Sequence, residues 1–222
     1  MSKQWDKIFK EEGKVFVEPH EEMQRVVKIF KKNKVRRVLD LGCGSGRHLV
    51  YLAKNGFEVY GIDIANYGIK IARDWLKEEN LKAELKIGNI YKKLPYPDKF
   101  FDGIVSVATL HHNRIEKIRK LIKEIERILK PKGLIFITVS KKRTKKELKK
   151  MQKDEIWKIK MIAPRTYVPI SGREKGLIHF WFNKTILRRE FKNFKIHKIW
   201  TEKSKKHYCL LAERKNTKQD KA

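Results

Sequence analysis

The chain has 222 residues, 41% of them hydrophobic, enough for one α/β-type globular core with additions and against disorder away from the ends. Its longest apolar run, 134–139, is far too short to span a bilayer, and the opening M-S-K-Q-W-D-K-I-F-K lacks the apolar stretch of a secretion signal. Two cysteines, Cys43 and Cys209, make neither a disulfide framework nor a zinc site, so a reduced, cytoplasmic setting is expected; 55 Lys and Arg against 26 Asp and Glu leave a formal net charge of +29.

Trp5, Ile8 and Phe9 recur at helical spacing before Gly13 breaks the pattern. A second helix is predicted over 21–30, with Met23, Val26, Val27 and Phe30 on one face. Residues 35–47, V-R-R-V-L-D-L-G-C-G-S-G-R, read as a buried parallel strand that ends in a tight glycine turn. Asp40 is the single acid among Val38, Leu39 and Leu41, and Gly42, Gly44 and Gly46 let backbone approach a ligand closely. Ser45 is placed to cap a helix over 45–55, which stops at Asn55-Gly56. A dinucleotide fingerprint would need its third glycine at position 47, which is Arg47.

A second strand over 57–62 ends at Asp63, where a carboxylate can accept from both hydroxyls of a ribose. A helix over 69–81 and a short strand over 83–87 follow, then K-I-G-N-I at 86–90 and a two-proline loop at 92–99. F-F-D-G-I-V-S-V at 100–107 is a fourth strand, and A-T-L-H-H-N at 108–113 leaves it. The helix over 115–129 is amphipathic through Ile118, Leu121, Ile122, Ile125 and Leu129, and a fifth strand occupies 131–139.

The pattern D-x-G-x-G-x-G, followed in order by Asp63, 86–90, 100–107 and P-K-G-L-I-F-I-T-V, resembles the class I S-adenosylmethionine (SAM) methyltransferases. The phrase R-H-L-V-Y-L-A-K-N-G-F-E-V-Y-G-I-D at 47–63 resembles their tellurite-resistance, thiopurine-methyltransferase-like and type 11/25 branch. The resemblance implies an α/β, Rossmann-like seven-stranded sheet, parallel but for one antiparallel strand at the C-terminal hairpin, with helices on both faces. It implies SAM as cofactor and no metal. Asp40 would lie near the methionine amino end, Gly42, Gly44 and Gly46 would shape the seat, and Asp63 would take the ribose. Asn89 stands where many members have an acid, and its side-chain oxygen can still accept from the adenine amine. Ile90 would wall the ring. His111 and His112 come off the sheet where a methyl acceptor meets the sulfonium, and either can serve as base. Residues 1–31 would form a helical lid and 32–140 the cofactor-binding core.

After Ser140 the α/β rhythm stops. Residues 141–150 carry seven basic side chains and one acid, and 164–182 resemble an acceptor-pocket insert of uncharacterised family members. Within 141–184, Tyr167, Arg173 and His179 are the candidate acceptor contacts, Arg173 through a forked grip on an oxyanion. Thr185 can cap a helix over 186–191, and 194–200 with 207–212 would close the domain as a hairpin spanning 185–213, before a flexible tail at 214–222. The family's N-P-P-Y-type motif is absent, and neither cysteine is placed as a covalent nucleophile. The acceptor is therefore an O, N, S or chalcogen-oxyanion group, favoured as a small molecule by the resemblance and as RNA by the charge. A catalytically silent RNA-binding protein is the third reading, and a compositional lysine bias would account for the charge without any polyanion.

Overall fold

The computed structural model describes residues 2–144, 147, 158–216 and 220. Two helices, α1 (Ser2–Glu12) and α2 (Met23–Lys32), precede β1 (Arg37–Leu41). Then α3 (Arg47–Lys54), β2 (Glu58–Asp63), α4 (Asn66–Glu78), β3 (Glu84–Ile87), β4 (Phe101–Ser106), α5 (Ile115–Ile128) and β5 (Leu129–Ser140) alternate. A small three-stranded antiparallel sheet follows, β6 (Ile159–Ala163), β7 (Thr166–Pro169) and β8 (His179–Phe180). The chain returns through α6 (Lys184–Glu190), β9 (Phe194–Thr201) and β10 (His207–Arg214).

The main sheet has seven strands in the order β3-β2-β1-β4-β5-β10-β9. Neighbours from β3 to β5 are parallel, and β10 runs antiparallel to both β5 and β9, as expected for a class I methyltransferase sheet. Side-chain parity along β1 explains the two layers. Leu39 and Leu41 join the core that α5 and α6 cover through Ile118, Leu121, Ile125 and Leu187. Val38 joins the opposite core, built with Met23, Val27 and Phe30 of α2, Leu49 and Leu52 of α3 and Ile69 of α4. Chain order reverses between β1 and β4, so a crevice opens beyond their carboxyl ends, where open α/β sheets bind ligands.

Several local expectations are corrected. Ser45 caps nothing: α3 begins at Arg47, and Gly46 at φ +96° is the N-cap without a side-chain bond. An L side chain is strained in that left-handed turn, so glycine rather than a hydroxyl decides this helix start. Asn183, not Thr185, caps α6, its Oδ1 accepting from the Ile186 N–H at 2.7 Å. Strand β5 starts before Pro131, and its register against β4 shifts between Phe101 and Gly103, where the proline has no N–H to give. The predicted flexible tail holds at one point: Asp220 is buried against Arg214 at 3.1 Å and Lys99 at 2.8 Å. Of the basic run at 141–150, positions 145, 146 and 148–150 lie outside the described residues.

Candidate active site

Two chambers open beyond the carboxyl ends of β1, β2 and β4. The inner one, about 110 Å³, is lined by Gly42, Gly44, Asp63, Asn89, Ile90 and Tyr91, closed by Trp5 and Phe9 of α1, and bounded by Val107, Ala108, Thr109 and His112. The outer one, about 1080 Å³, takes in Arg47, Arg143, Tyr167, Glu174, His179, Glu202, Lys206 and both His111 and His112. Val107, Ala108 and His112 line both. Ala108 holds φ +54° with its N–H on Thr138 Oγ1 at 2.8 Å, a left-handed alanine kept at this shared wall by its neighbours.

The glycines divide the work. A Cβ on Gly42 would lie 2.1 Å from Thr109 Cγ2, and one on Gly44 3.0 Å from the Phe9 ring, so both leave room inside the seat. Gly46 does not line it. A Cβ there would sit 2.8 Å from Ala72 Cβ, so Gly46 lets α3 pack onto α4. Asp63 lines the seat with one oxygen accepting from the Gly44 N–H at 2.8 Å and the other from the Ala65 N–H at 2.9 Å. Burial raises its pKa, against the pull of these backbone bonds. Asn89 Oδ1 already accepts from the Tyr91 N–H at 2.9 Å, so the oxygen expected to meet adenine is first used to shape the turn. Tyr91, which sequence reasoning missed, donates its hydroxyl to the carbonyls of Thr109 and Leu110, each at 3.2 Å, and so ties the two ligand-facing loops together.

Asp40 lies outside the lining of either chamber. It is fully buried, and neither carboxylate oxygen has a hydrogen-bond partner among the described residues. Desolvation pushes its pKa up to about 7, against the opposing field of Arg47. An orphaned buried carboxylate beneath a glycine loop, with Asp63 beside the next strand, fits a ligand that brings its own ammonium and ribose, as SAM does. These residues would hold it.

The three acceptor candidates separate. Tyr167 stacks on His179 at 4.9 Å between ring centroids, and both line the outer chamber. Burial raises the Tyr167 pKa to about 12. Arg173 does not reach that chamber: its guanidinium pairs with Glu12 of α1, Nε to Oε1 at 3.0 Å, while Gln4 donates to its carbonyl at 2.7 Å. The oxyanion grip expected of Arg173 is thus occupied by the protein's own N-terminal helix. His111 and His112 are buried, with ring centroids 4.4 Å apart. His111 Nδ1 accepts from the Ser140 N–H at 3.2 Å, and His112 Nε2 lies 3.0 Å from the Ala108 carbonyl. Burial holds both below the usual imidazole range, His112 at about 4, so both are neutral at physiological pH. Farther along the wall Glu202 binds His20 at 2.9 Å and His207 at 2.7 Å. Its burial would raise the carboxyl, but these hydrogen bonds outweigh that and hold it well below the usual range.

Residues 39–137 match a family described as Methyltransferase domain. Human EEF1A lysine methyltransferase 2 is 31% identical over 163 residues, 65% of this chain and 69% of that protein. An Arabidopsis thaliana tRNA (carboxymethyluridine(34)-5-O)-methyltransferase is 40% identical over 103 residues, 46% of this chain but only 23% of that longer protein. The fold is shared with the crystal structure of the PH0226 protein from Pyrococcus horikoshii OT3, at a TM-score of 0.69 and 24% identity, covering 88% of this chain and 92% of that one. These likenesses do not single out the tellurite-resistance branch. With its sheet order, its glycine loop and a relative matched over two thirds of its length, the chain belongs to the class I S-adenosylmethionine-dependent methyltransferases.

Proposed function

We propose that this protein transfers the methyl group of SAM to an oxygen of an anionic acceptor, a carboxylate carried on an RNA base. The observation that carries the reading is the pair of chambers meeting at Ala108 and His112, the outer one rimmed by Arg47, Arg143 and Lys206. At about 1080 Å³ that chamber has room for a nucleotide, and the +29 charge attracts its strand. An acceptor already ionised at neutral pH also suits histidines held neutral by burial, because it needs no base. The Arabidopsis relative is named for action on a carboxymethylated uridine of tRNA, which agrees with this choice.

When bound, SAM supplies a sulfonium-activated methyl group. In this reading Asp40 attracts the methionine ammonium, Asp63 accepts from the ribose, and Asn89, Ile90 and Tyr91 flank the base. Trp5 and Phe9 exclude water from the donor, and α1 acts as a lid. A carboxylate acceptor facing that methyl group would need no proton removed by His111 or His112. His111 and His112 then serve as walls and hydrogen-bonding groups, a lesser part than the base first expected.

The assay supplies radiolabelled SAM with total tRNA and, in parallel, a small-metabolite extract. Label in tRNA that mild alkali releases as volatile methanol is the expected result, since a methyl ester hydrolyses where N-methyl and ether products persist. Label confined to the small-metabolite fraction would replace RNA with a free acid, and alkali-stable label would exclude the carboxylate.

A further inference from the structure

Three imidazoles meet where the two chambers join. His111 and His112 leave β4, and His179 is brought to them by β8, whose Phe180 N–H donates to the His111 carbonyl at 2.8 Å. One ring nitrogen from each lies within 4.8 Å of the other two, and all three side chains are buried. Buried polar atoms ordinarily find partners. Here His112 Nδ1 and His179 Nε2 have no hydrogen bond among the described residues.

The geometry of His112 is that of a ligand waiting for an ion. Its Nε2 faces the Ala108 carbonyl at 3.0 Å, which fixes the proton on Nε2 and leaves the lone pair of Nδ1 open. Metal-binding histidines are oriented in the same way, by a carbonyl or carboxylate on the far nitrogen. Glu174 Oε2 stands 3.4 Å from His179 Nε2 without a well-directed hydrogen bond, within reach as an oxygen donor or as an outer partner. His111 Nδ1 holds the Ser140 N–H by a long 3.2 Å contact that ligation would have to displace or turn away.

We propose that His111, His112 and His179 bind a divalent transition-metal ion of the zinc type, with one coordination position open to the outer chamber. Imidazole suits such ions, and metal–nitrogen bonds of about 2.0–2.1 Å imply ligand nitrogens roughly 3.3–3.4 Å apart in a tetrahedron. The rings therefore draw inward on binding, from a cluster in which His112 and His179 meet edge to face at 4.5 Å between centroids. Three neutral ligands leave the ion's charge uncompensated, directed at the space where an oxyanion would sit. The site stands whether the acceptor is RNA or a free acid.

Untagged full-length chain titrated with cobalt chloride alone tests this. One equivalent of Co2+ should bind with the intense visible bands of a four-coordinate ion, and zinc should displace it. His179→Ala and His112→Ala should each weaken cobalt binding more than tenfold. His20→Gln, which alters the neighbouring Glu202 cluster, should leave it intact. Nitrogen-15 spectra of the unmutated protein read the same site without a folding risk, and zinc should shift the His112 and His179 imidazole nitrogens first. The proposal falls if excess Co2+ gives no stoichiometric complex, if His179→Ala binds as tightly as the parent, or if zinc leaves those nitrogens unmoved. It falls equally if binding is lost only in His20→Gln.

Discussion

Asp40 joins stability to ligand binding through one proton. Its carboxyl titrates at about 7 in the fold against 3.8 when exposed, so the folded chain holds the proton over a range where the unfolded chain has released it. Stability from this group is therefore greatest below pH 4 and declines as pH rises through 7, by about 4 kcal/mol. Asp40→Asn should flatten that decline and melt higher than the parent at pH 8 without ligand, as followed by thermal unfolding across pH. The same variant should bind SAM about tenfold more weakly by calorimetry, because it removes a negative field behind the glycine loop rather than a direct contact. If Asp40 instead bears only on folding, the melting curves will change and the SAM affinity will not.

Helix α1 is held to the seat by unequal attachments. Phe9 fills the gap between Gly44 and Gly68, where a Cβ on either glycine would come within about 3.0 Å of its ring. The Arg173–Glu12 pair is 43% and 39% exposed, and such pairs contribute at most about 1 kcal/mol. Arg173→Ala should thus speed SAM release by no more than about fivefold and leave the methyl-transfer step unchanged, whereas Phe9→Ala should speed release more than tenfold; stopped-flow displacement distinguishes them. Gly46→Ala addresses the other end of the loop. It should lower the melting temperature by about 3–10 °C, for roughly 1–3 kcal/mol of strain, and leave SAM affinity nearly unchanged.

Elements set by local chemistry were legible in the chain. The run 37–46 showed its strand and turn because apolar residues and glycines there answer to their own neighbours, and Asp63 followed from the end of the next strand. The pairing of Arg173 with Glu12, 161 residues away, leaves no mark in the local sequence. Tyr91 was missed for the same reason: a tyrosine beside an asparagine carries no sign that its hydroxyl will tie two loops together. The histidine cluster needed the β6–β8 sheet to bring His179 to His112, and sequence spacing hides such a meeting.

At the scale of the molecule, the charge acts before any particular contact. A net charge of +29 favours non-specific attraction of polyanions, so binding alone would say little and its salt dependence would say more. Affinity for tRNA should fall linearly with salt on logarithmic axes, and replacing Arg143 and Lys206 by Glu should reduce the slope by about 2 if each meets a phosphate. A slope indifferent to these two changes would move the RNA track off the outer chamber, which filter binding over a salt series would show directly.

The place of β9 has a consequence for how the chain acquires its shape. It is synthesised before β10 yet lies outside it, so it reaches the seven-stranded sheet only through β10. Seating β10 on β5 closes a segment that carries the β6–β8 sheet, α6 and β9, a non-local closure of the kind that slows folding. Glu202 and His207 meet within the β9–β10 hairpin and reach Ser140 only when β10 seats on β5, whereas the glycine loop, Asp63 and Thr109 are gathered by β1, β2 and β4. A half-folded chain could then cradle a methyl donor while offering nowhere for an acceptor to lie, so the ability to react would arise last in the maturation of each molecule.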